Sequence, residues 1–290
     1  RDMDTRQTFG DSRELYRARA EPAAAAAVGA PSPFTIEVEF IGGLTQSQMD
    51  AFKAAADRWV RVIVGDLPNV LVEGDIIDDV LILAQGADID GPSGVLGQAG
   101  PTFLRPPNAG AAASIPAKGI MTFDRADLAQ MEEAGTLNDV IVHEMGHVLG
   151  SGTIWSIKRL IRDDGPNNPV FIGENAMREY GTLRGTAPTP VPVENTGGPG
   201  TRGSHWRETV FNNELMTGFV DSPPNPISRL TVASLQDMGY QVDVNASEAY
   251  GLPNIQALAE AGVLAEHQAP IDRGILLPTI PFELPADSLR

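Results

Sequence analysis

The chain has 290 residues, of which 42% are hydrophobic, and it carries a net charge of −17. This length allows a substantial hydrophobic core in one large domain or two smaller ones. The negative charge argues against nucleic acid or an anionic membrane surface as a partner. No apolar run is long enough to span a membrane. The absence of cysteine excludes disulfides, thiolate metal ligands and a catalytic thiol.

The first 30 residues are charged and then alanine-rich, which is typical of a leader or a pro-segment remnant. The chain begins Arg1-Asp2-Met3 without a signal peptide, so we expect a processed or truncated chain. We also expect part of segment 1–30 to pack loosely unless it lies on the main body of the protein.

A strand and a helix are predicted next. Phe34, Ile36, Val38 and Phe40 alternate with polar residues, the pattern of a half-buried strand. The helix that follows begins at a capping box and is expected to stop at Gly65. The capping box is formed by Thr45 and Gln48, and the inner face by Phe52, Ala55, Ala56, Trp59, Val62 and Ile63.

Three more strands are predicted before residue 124. Residues 79–84 form a continuous apolar run, which indicates a central strand. Residues 94–99 lie between glycine and proline breakers and suit a sheet edge. Residues 119–123 form a short strand that leads toward the next helix.

The segment 136–150 contains the motif His-Glu-x-x-His in a helical context. Thr136 with Asp139 suits the N-terminus of a helix, and Gly150 suits its C-terminus. Residues four apart lie on one helix face, so His143 and His147 can direct two imidazoles at one zinc ion.

Glu144 lies about 100° round this helix from His143. Its carboxylate can therefore take a proton from water at the open position of the metal. A chance match of the motif is the alternative, and the scarcity of histidine, with 4 in the chain, argues against it.

Beyond Gly150 the chain is richer in turns. Residues 163–169 have turn composition, and residues 175–180 favour a short helix. Residues 184–204 form a long loop rich in glycine, proline and threonine, of the kind that often carries function. A helix is predicted for 228–238, and a helical patch for 255–264 before a proline-punctuated tail.

A catalytic zinc needs three protein ligands and one open position. The compact metzincin pattern would place its third histidine at position 153, where this chain has Thr153. His205 and His267 remain. His205 lies in a Gly-Ser-His-Trp segment and is favoured as the third ligand, whereas His267 lies in a polar patch and is interpreted as a surface residue.

These motifs together resemble the leishmanolysin family of metzincins. They are His-Glu-Met-Gly-His-Val-Leu-Gly at 143–150, Gly-Ser-His-Trp at 203–206 and Glu-Leu-Met-Thr at 214–217. That family has a long insertion between its second and third zinc histidines, as residues 148–204 would be here. The resemblance covers about residues 34–245.

The resemblance implies that His143, His147 and His205 hold one zinc ion and that Glu144 is the general base and acid. Met216 would be the Met-turn residue, with its thioether beneath the metal, although an ordinary core methionine would also suit this sequence position.

The resemblance also implies a substrate-binding edge strand that pairs with an extended peptide. This strand would consist of Gly94, Val95, Leu96, Gly97, Gln98 and Ala99. Gly150 would turn the chain from an upper to a lower lobe.

The chain departs from the family in two respects. Eukaryotic members are disulfide-rich, and without cysteine a thiol switch cannot hold this chain latent. The C-terminal domain of larger members is missing or reduced to residues 251–290. We therefore expect a minimal bacterial relative that is a monomer, is secreted or at the cell surface or in the periplasm, and acts on proteins and peptides.

Three alternatives stay open. The third ligand could be Glu174 on a downstream helix. The chain could be a non-catalytic adhesion or scaffolding module with a structural zinc, although such a site normally has four protein ligands. A calcium site is a weaker hypothesis than a solvated acidic loop for one group of aspartates. This group comprises Asp75, Asp78, Asp79, Asp88 and Asp90.

The sequence thus predicts a metzincin-like α+β zinc endopeptidase. A twisted mixed sheet with two backing helices would form an upper lobe, a smaller loop-rich and helical part the lower lobe, and a cleft between them the active site. We divide the chain into a leader segment (1–30), an N-terminal catalytic subdomain (31–150), a C-terminal subdomain (151–250) and a tail (251–290).

Overall fold

Six strands form one mixed sheet in a computed structural model that describes residues 13–198, 200–221, 223–254 and 279–290. The predicted helical patch 255–264 and His267 lie outside the described residues, as do residues 1–12. The strands of the sheet are β1 (Glu14–Arg19), β2 (Thr35–Gly42), β5 (Val80–Ala87), β6 (Gly97–Leu104), β7 (Pro116–Asp124) and β11 (Phe282–Glu283).

The order across this sheet is β1-β2-β5-β7-β6-β11. The central strands β2, β5 and β7 are parallel, while β1 is antiparallel to β2 and β6 is antiparallel to β7. The predicted strands at 34–40, 79–84 and 119–123 correspond to β2, β5 and β7. Their side chains alternate between buried and half-buried positions, because one face of the sheet is more deeply covered than the other.

The helices lie before, between and after the strands of the sheet. Among the described residues these are α1 (Pro22–Ala27), α2 (Gln46–Trp59), α3 (Arg125–Ala134), α4 (Leu137–Val148), α5 (Glu174–Arg184), α6 (Glu208–Phe211) and α7 (Arg229–Met238). Together with the mixed sheet they confirm the predicted α+β class. No helix in the described ranges is long and apolar enough to cross a membrane.

Helix α2 begins as predicted and ends earlier than predicted. The Thr45 side chain accepts from Gln48 N, and the Gln48 side chain accepts from Thr45 N, which completes the capping box. The helix stops at Trp59 rather than near Gly65. The next residues include the β-branched Val60, Val62, Ile63 and Val64, which disfavour a helix, and Ile63 instead bridges to Val242.

The N-terminal segment belongs to the sheet in its described part. Strand β1 pairs with β2 along its whole length, and Ala18 and Ala20 are buried. The Tyr16 hydroxyl donates to the Asp57 carboxylate of α2 at 2.8 Å. Residues 14–20 therefore lie on the main body, which is the condition under which this segment is expected to pack well.

Residues 151–250 contain short elements around α5 and α7. A small antiparallel sheet consists of β8 (Ile161–Asp163), β9 (Pro169–Phe171) and β10 (Val191–Pro192), in the order β10-β9-β8. Outside this range, a separate hairpin of β3 (Val70–Val72) and β4 (Asp75–Ile77) precedes β5. The predicted helices at 175–180 and 228–238 correspond to α5, which is longer than predicted, and to α7, which is capped by Ser228 at its start and by Gly239 at its end.

One hydrophobic core contains residues from the part of the chain before Gly150 and from the part after it. It contains Phe52 and Trp59 of α2, Met145 of α4 and, from the later half, Trp206 and Leu235. The Trp59 indole N–H donates to the carbonyl of Val142 at 2.9 Å, so α2 is fastened directly to α4. This packing holds α4 rigidly between the sheet and the later half of the chain.

Candidate metal centre

Three buried histidine side chains converge where α4 meets the loop that precedes α6. His143 and His147 lie one turn apart on α4, and His205 reaches them from the loop before α6. Their Nε2 atoms are separated by 3.0 Å (His147 to His143), 3.0 Å (His147 to His205) and 3.2 Å (His143 to His205). All three rings are buried.

The outer nitrogen of each ring faces a backbone carbonyl. His143 Nδ1 lies 2.7 Å from Leu215 O, His147 Nδ1 lies 2.7 Å from Ser151 O, and His205 Nδ1 lies 3.1 Å from Thr201 O. A carbonyl can only accept, so each Nδ1 carries the proton and donates it. Each neutral ring then presents the lone pair of Nε2 to the other two.

Burial favours the neutral form of the His143 and His205 rings. It lowers the pKa of His143 well below its ordinary value, and the neighbouring His147 and His205 lower it further. Burial also lowers the pKa of His205 to about 4. The three Nε2 lone pairs face one another, and a divalent cation could accept all three. Tetrahedral zinc with Zn–N bonds of about 2.0–2.1 Å separates its ligand nitrogens by roughly 3.3 Å, close to the spacing seen here.

The end of α4 explains the orientation of His147. Gly150 adopts φ +108°, the left-handed conformation that ends a helix, as the sequence predicts. The turn brings the Ser151 carbonyl back to the His147 ring. Thr153 stands where a compact metzincin would have a histidine, and its hydroxyl donates to the His147 backbone carbonyl at 2.7 Å. At the other end, Thr136 precedes α4 without a side-chain cap, and Asp139 instead accepts from Asn225.

His205 is held by a closed loop. Glu194 N donates to His205 O at 2.8 Å, and Gly203 N donates to Glu194 O at 3.0 Å. These two hydrogen bonds hold the ends of the loop 194–205 together. This loop contains Thr201, whose carbonyl orients the His205 ring. The Glu194 carboxylate accepts from the backbone N–H groups of residues 195, 196 and 208.

Met216 lies against α4 between the two histidines of that helix. A Cβ added at Gly146 would lie 2.8 Å from Met216 Sδ, so glycine is what allows the thioether to approach the helix. The backbone N–H of Trp206 donates to Met216 O at 2.9 Å, which joins this turn to the segment of His205. Met216 therefore packs against the helix that carries His143 and His147 and is joined to the segment of His205.

Glu144 is buried on α4 immediately after His143. Glu174, the alternative third ligand, is exposed in the first turn of α5 and does not belong to the histidine group. Of the proposed edge strand, Gly97 to Ala99 pair with Phe123 to Met121 of β7, while residues 94–96 precede β6. Among the described residues, β11 meets the other side of β6 only at Phe103 and Leu104.

The acidic residues proposed for calcium do not form one site. Asp75 lies in β4, and Asp88 and Asp90 follow β5. Asp79 is buried, so it is not part of a solvated loop, and its two oxygens accept from Thr35 N and Leu67 N at 2.7 Å. Asp66, Asp78 and Asp79 lie close together, but the buried guanidinium of Arg105 donates to carbonyls of the same turn and opposes a cation. Calcium is unsupported.

The sequence analysis missed the groups that orient the rings. Backbone carbonyls carry no sequence signature, so Leu215, Ser151 and Thr201 could not have been found. Two buried carboxylates beside the centre, Glu194 and Glu214, were also missed. Glu214 lies within a motif that the sequence analysis quoted, next but one to Met216, but its role depends on contacts with residues far along the chain.

The fold and the site define an α+β protein with three buried histidines that could hold a metal ion. A family model described as leishmanolysin, of the M8 peptidases, matches residues 111–257, just over half of the chain. The chain therefore belongs to the leishmanolysin family. The matched range includes all three histidines, Glu144 and Met216.

Individual relatives agree with this assignment. A leishmanolysin-like peptidase from Caenorhabditis elegans is 40% identical over 81 residues, which cover 27% of this chain and 11% of that protein. Leishmanolysin from Leishmania donovani is 29% identical over 143 residues, 46% of this chain and 24% of that protein. Leishmanolysin from Leishmania major is 30% identical over 151 residues. The matches thus span a quarter or less of each relative.

Proposed function

We propose that this chain is a zinc-dependent metalloendopeptidase that cleaves extended peptides and proteins. One observation carries the proposal. Three neutral imidazoles turn their Nε2 lone pairs toward one another, and a buried glutamate follows the first of them on the same helix. The peptidase names of the relatives support the proposal.

The residues have separate roles in this proposal. His143, His147 and His205 would hold zinc, which when bound supplies a Lewis acid for the scissile carbonyl and the attacking water. The carbonyls of Leu215, Ser151 and Thr201 keep the three rings in the tautomer that places the proton on Nδ1 and the lone pair on Nε2.

Glu144 moves the proton. Its carboxylate accepts a proton from the attacking water and passes it to the nitrogen of the leaving amine, so that a neutral amine departs. The first residues of β6 would align the substrate. Gly97, Gln98 and Ala99 pair with β7 on one side, and their other backbone edge would pair with an extended peptide. From the family resemblance we also propose that the protein acts outside the cytoplasm.

The test combines metal analysis with cleavage of casein. Glu144→Gln should retain one zinc per chain and lose activity by about 10²–10⁴-fold, because it removes a general base without touching the ligands. Glu174→Gln is the matched control, since this exposed residue on α5 should change neither zinc content nor activity.

Two results would overturn the proposal. Activity of Glu144→Gln equal to that of the wild type would exclude Glu144 as the base. Wild-type protein that holds one zinc and yet cleaves nothing would favour the binding-module alternative.

A further inference from the structure

Glu214 is a fully buried carboxylate in the turn that precedes Met216. It contacts none of the three histidines directly, and the proposed chemistry does not use it. Burying a carboxyl group is costly unless hydrogen-bond donors surround it. The contacts of Glu214 therefore show what its burial achieves.

Both carboxylate oxygens of Glu214 are occupied. Oε2 accepts from Met216 N at 2.6 Å. Oε1 accepts from the Ser228 hydroxyl at 2.6 Å, from Ser228 N at 3.2 Å and from the Thr231 hydroxyl. Glu214 thereby joins the Met216 turn to the first turn of α7 by four hydrogen bonds.

The bond to Met216 acts on His143 through one peptide unit. The N–H of Met216 and the C=O of Leu215 belong to the same planar group and point in opposite directions. Glu214 holds the N–H side, and the C=O side accepts the Nδ1 proton of His143 at 2.7 Å. The carboxylate therefore fixes the plane of this peptide and polarises its carbonyl toward the ring.

The bond to Thr231 acts on the segment of His205. The indole N–H of Trp206 donates to the Thr231 hydroxyl at 2.9 Å, and this hydroxyl donates to Glu214. Trp206 is fully buried and follows His205 directly in the chain. One carboxylate thus reaches the first histidine of α4 and the distant third histidine by two separate routes.

We propose that Glu214 is a positioning residue of the metal centre, which sets the orientation of His143 through the Leu215–Met216 peptide and the place of His205 through Thr231 and Trp206. This inference rests on the proposed zinc site. It assigns to Glu214 control of metal affinity and geometry beyond its share in folding stability.

Glu214→Gln is the sharpest variant, because it keeps the shape of the side chain. A glutamine offers one acceptor oxygen and one NH₂ donor group. If its oxygen faces Ser228 and Thr231, the NH₂ group opposes Met216 N–H, and in the other orientation it opposes Ser228 N–H. Either way, one buried backbone N–H loses its acceptor. The first orientation disturbs the Leu215–Met216 peptide beside His143, and the second disturbs the contacts with Ser228 and Thr231 that lead to His205.

Asp237→Asn is the matched control. The Asp237 carboxylate also joins two elements, because it accepts from Asn175 N and Ala176 N at the start of α5, both at 2.9 Å. It has no route to the histidines. A loss of stability without an effect on the centre should appear in this variant.

The experiment measures zinc affinity by competition with a chromophoric chelator and the visible spectrum of the cobalt(II)-substituted protein. Glu214→Gln should bind zinc about tenfold more weakly than wild type and show a shifted cobalt spectrum, as expected for a lost outer-shell partner. Asp237→Asn should match the wild type in both. Equal zinc affinity and identical spectra for the two variants would overturn the inference.

Thr231 provides a second test in case Glu214→Gln does not fold. Thr231→Val removes the hydroxyl between Trp206 and Glu214, whereas Thr231→Ser keeps it. The valine variant should weaken zinc binding by about threefold or more, and serine should restore it. Equal affinity for both would contradict the route through Trp206. Wild-type protein that binds no zinc at all would instead refute the proposed function itself.

Discussion

The three histidines of the candidate metal centre stand on two unlike structures, a packed helix and a hydrogen-bonded loop. His143 and His147 stand on α4, a helix that is buried from Val140 to Val148 and packed against α2 and the sheet. His205 stands in a loop, and what keeps this loop in place is hydrogen bonding to the buried carboxylates of Glu194 and Glu214. One half of the centre is placed by helix geometry and apolar packing, the other by polar contacts between distant residues.

The difference follows from where backbone N–H groups find acceptors. In α4 most N–H groups are satisfied one turn back, so the surroundings can be apolar. The later half has short elements, and its N–H groups lack a repeating partner. A carboxylate can accept several of them at once, as Glu194 and Glu214 do. Buried carboxylates thus replace regular secondary structure around His205.

A substitution in α4 tests the apolar support and should have the largest effect on stability. In Gly146→Ala the new Cβ would lie 2.8 Å from both Met216 Sδ and Trp59 Cζ2. The thioether can adjust, but the Trp59 ring is fully buried and bonded to Val142 O. Overpacking should outweigh the better helix propensity of alanine and cost about 2 kcal/mol.

The measurement is urea unfolding in the presence of a chelator, so that metal binding does not contribute. Gly251→Ala is the control, because a Cβ at Gly251 meets no atom within 4 Å, and it should stay within about 0.5 kcal/mol of the wild type. A stability of Gly146→Ala equal to that of this control would show that α4 is less tightly packed than the structure indicates.

A substitution in the loop tests the polar support. Glu194→Gln leaves at least one of the N–H groups of Asn195, Thr196 and Glu208 without an acceptor. The expected loss is about 1–2 kcal/mol in the free energy of unfolding, measured as for Gly146→Ala. Zinc affinity should fall as well, because the loop carries the carbonyl that orients His205.

Glu179→Gln serves as the control for the loop. Its carboxylate pairs with Arg229, whose side chain is 47% exposed, so the free energy of unfolding should change by less than about 0.5 kcal/mol. If Glu194→Gln lowered the free energy of unfolding no more than Glu179→Gln does, the loop of His205 would not depend on its buried carboxylate. The contrast between the helix and the loop would then be wrong.

The smallest expected effect concerns Glu248, which links α2 to the segment that precedes α7. Glu248 accepts from Arg58 of α2 at 2.6 Å and from Ile227 N at 2.8 Å. Burial raises the pKa of Glu248, but these hydrogen bonds and the positive charge outweigh it, so the net pKa is lowered. A lowered pKa means that the native state binds the proton less tightly than the unfolded chain. The stabilisation is therefore present above about pH 4.3 and is lost as the pH falls through the folded pKa.

Glu248→Gln should accordingly be less stable than the wild type by about 1 kcal/mol at pH 7, and this difference should shrink below pH 4. Urea unfolding at both pH values provides the measurement. Glu73→Gln, at the exposed pair with Lys118, is the control. A difference that stays constant between the two pH values would show that the contribution of Glu248 does not depend on its charge.

The elements read correctly from the sequence are those with a local pattern. The alternation in β2, the capping box of α2 and the stop at Gly150 depend on residues a few positions apart. Strand β1 was missed because only Ala18 of its six residues is buried, so the sequence has no apolar alternation there. The end of α2 was placed too late, since tertiary bridging at Ile63 decided it.

The sequence by itself determined which residue types are available to the centre and how His143, Glu144 and His147 follow one another on a helix. A helix repeats every 3.6 residues, so spacing along the chain converts directly into a shared face. The interpretation of His205 as the third ligand rested on elimination and on a family resemblance.

Only the tertiary structure decided how His205 meets the other two rings and which groups orient all three. The carbonyls of Leu215, Ser151 and Thr201 are common to every residue type, and the role of Glu214 arises from contacts with Ser228 and Thr231 across a turn. Such contacts depend on the packed fold, because no periodic rule links residues whose separation in the chain is set by loops.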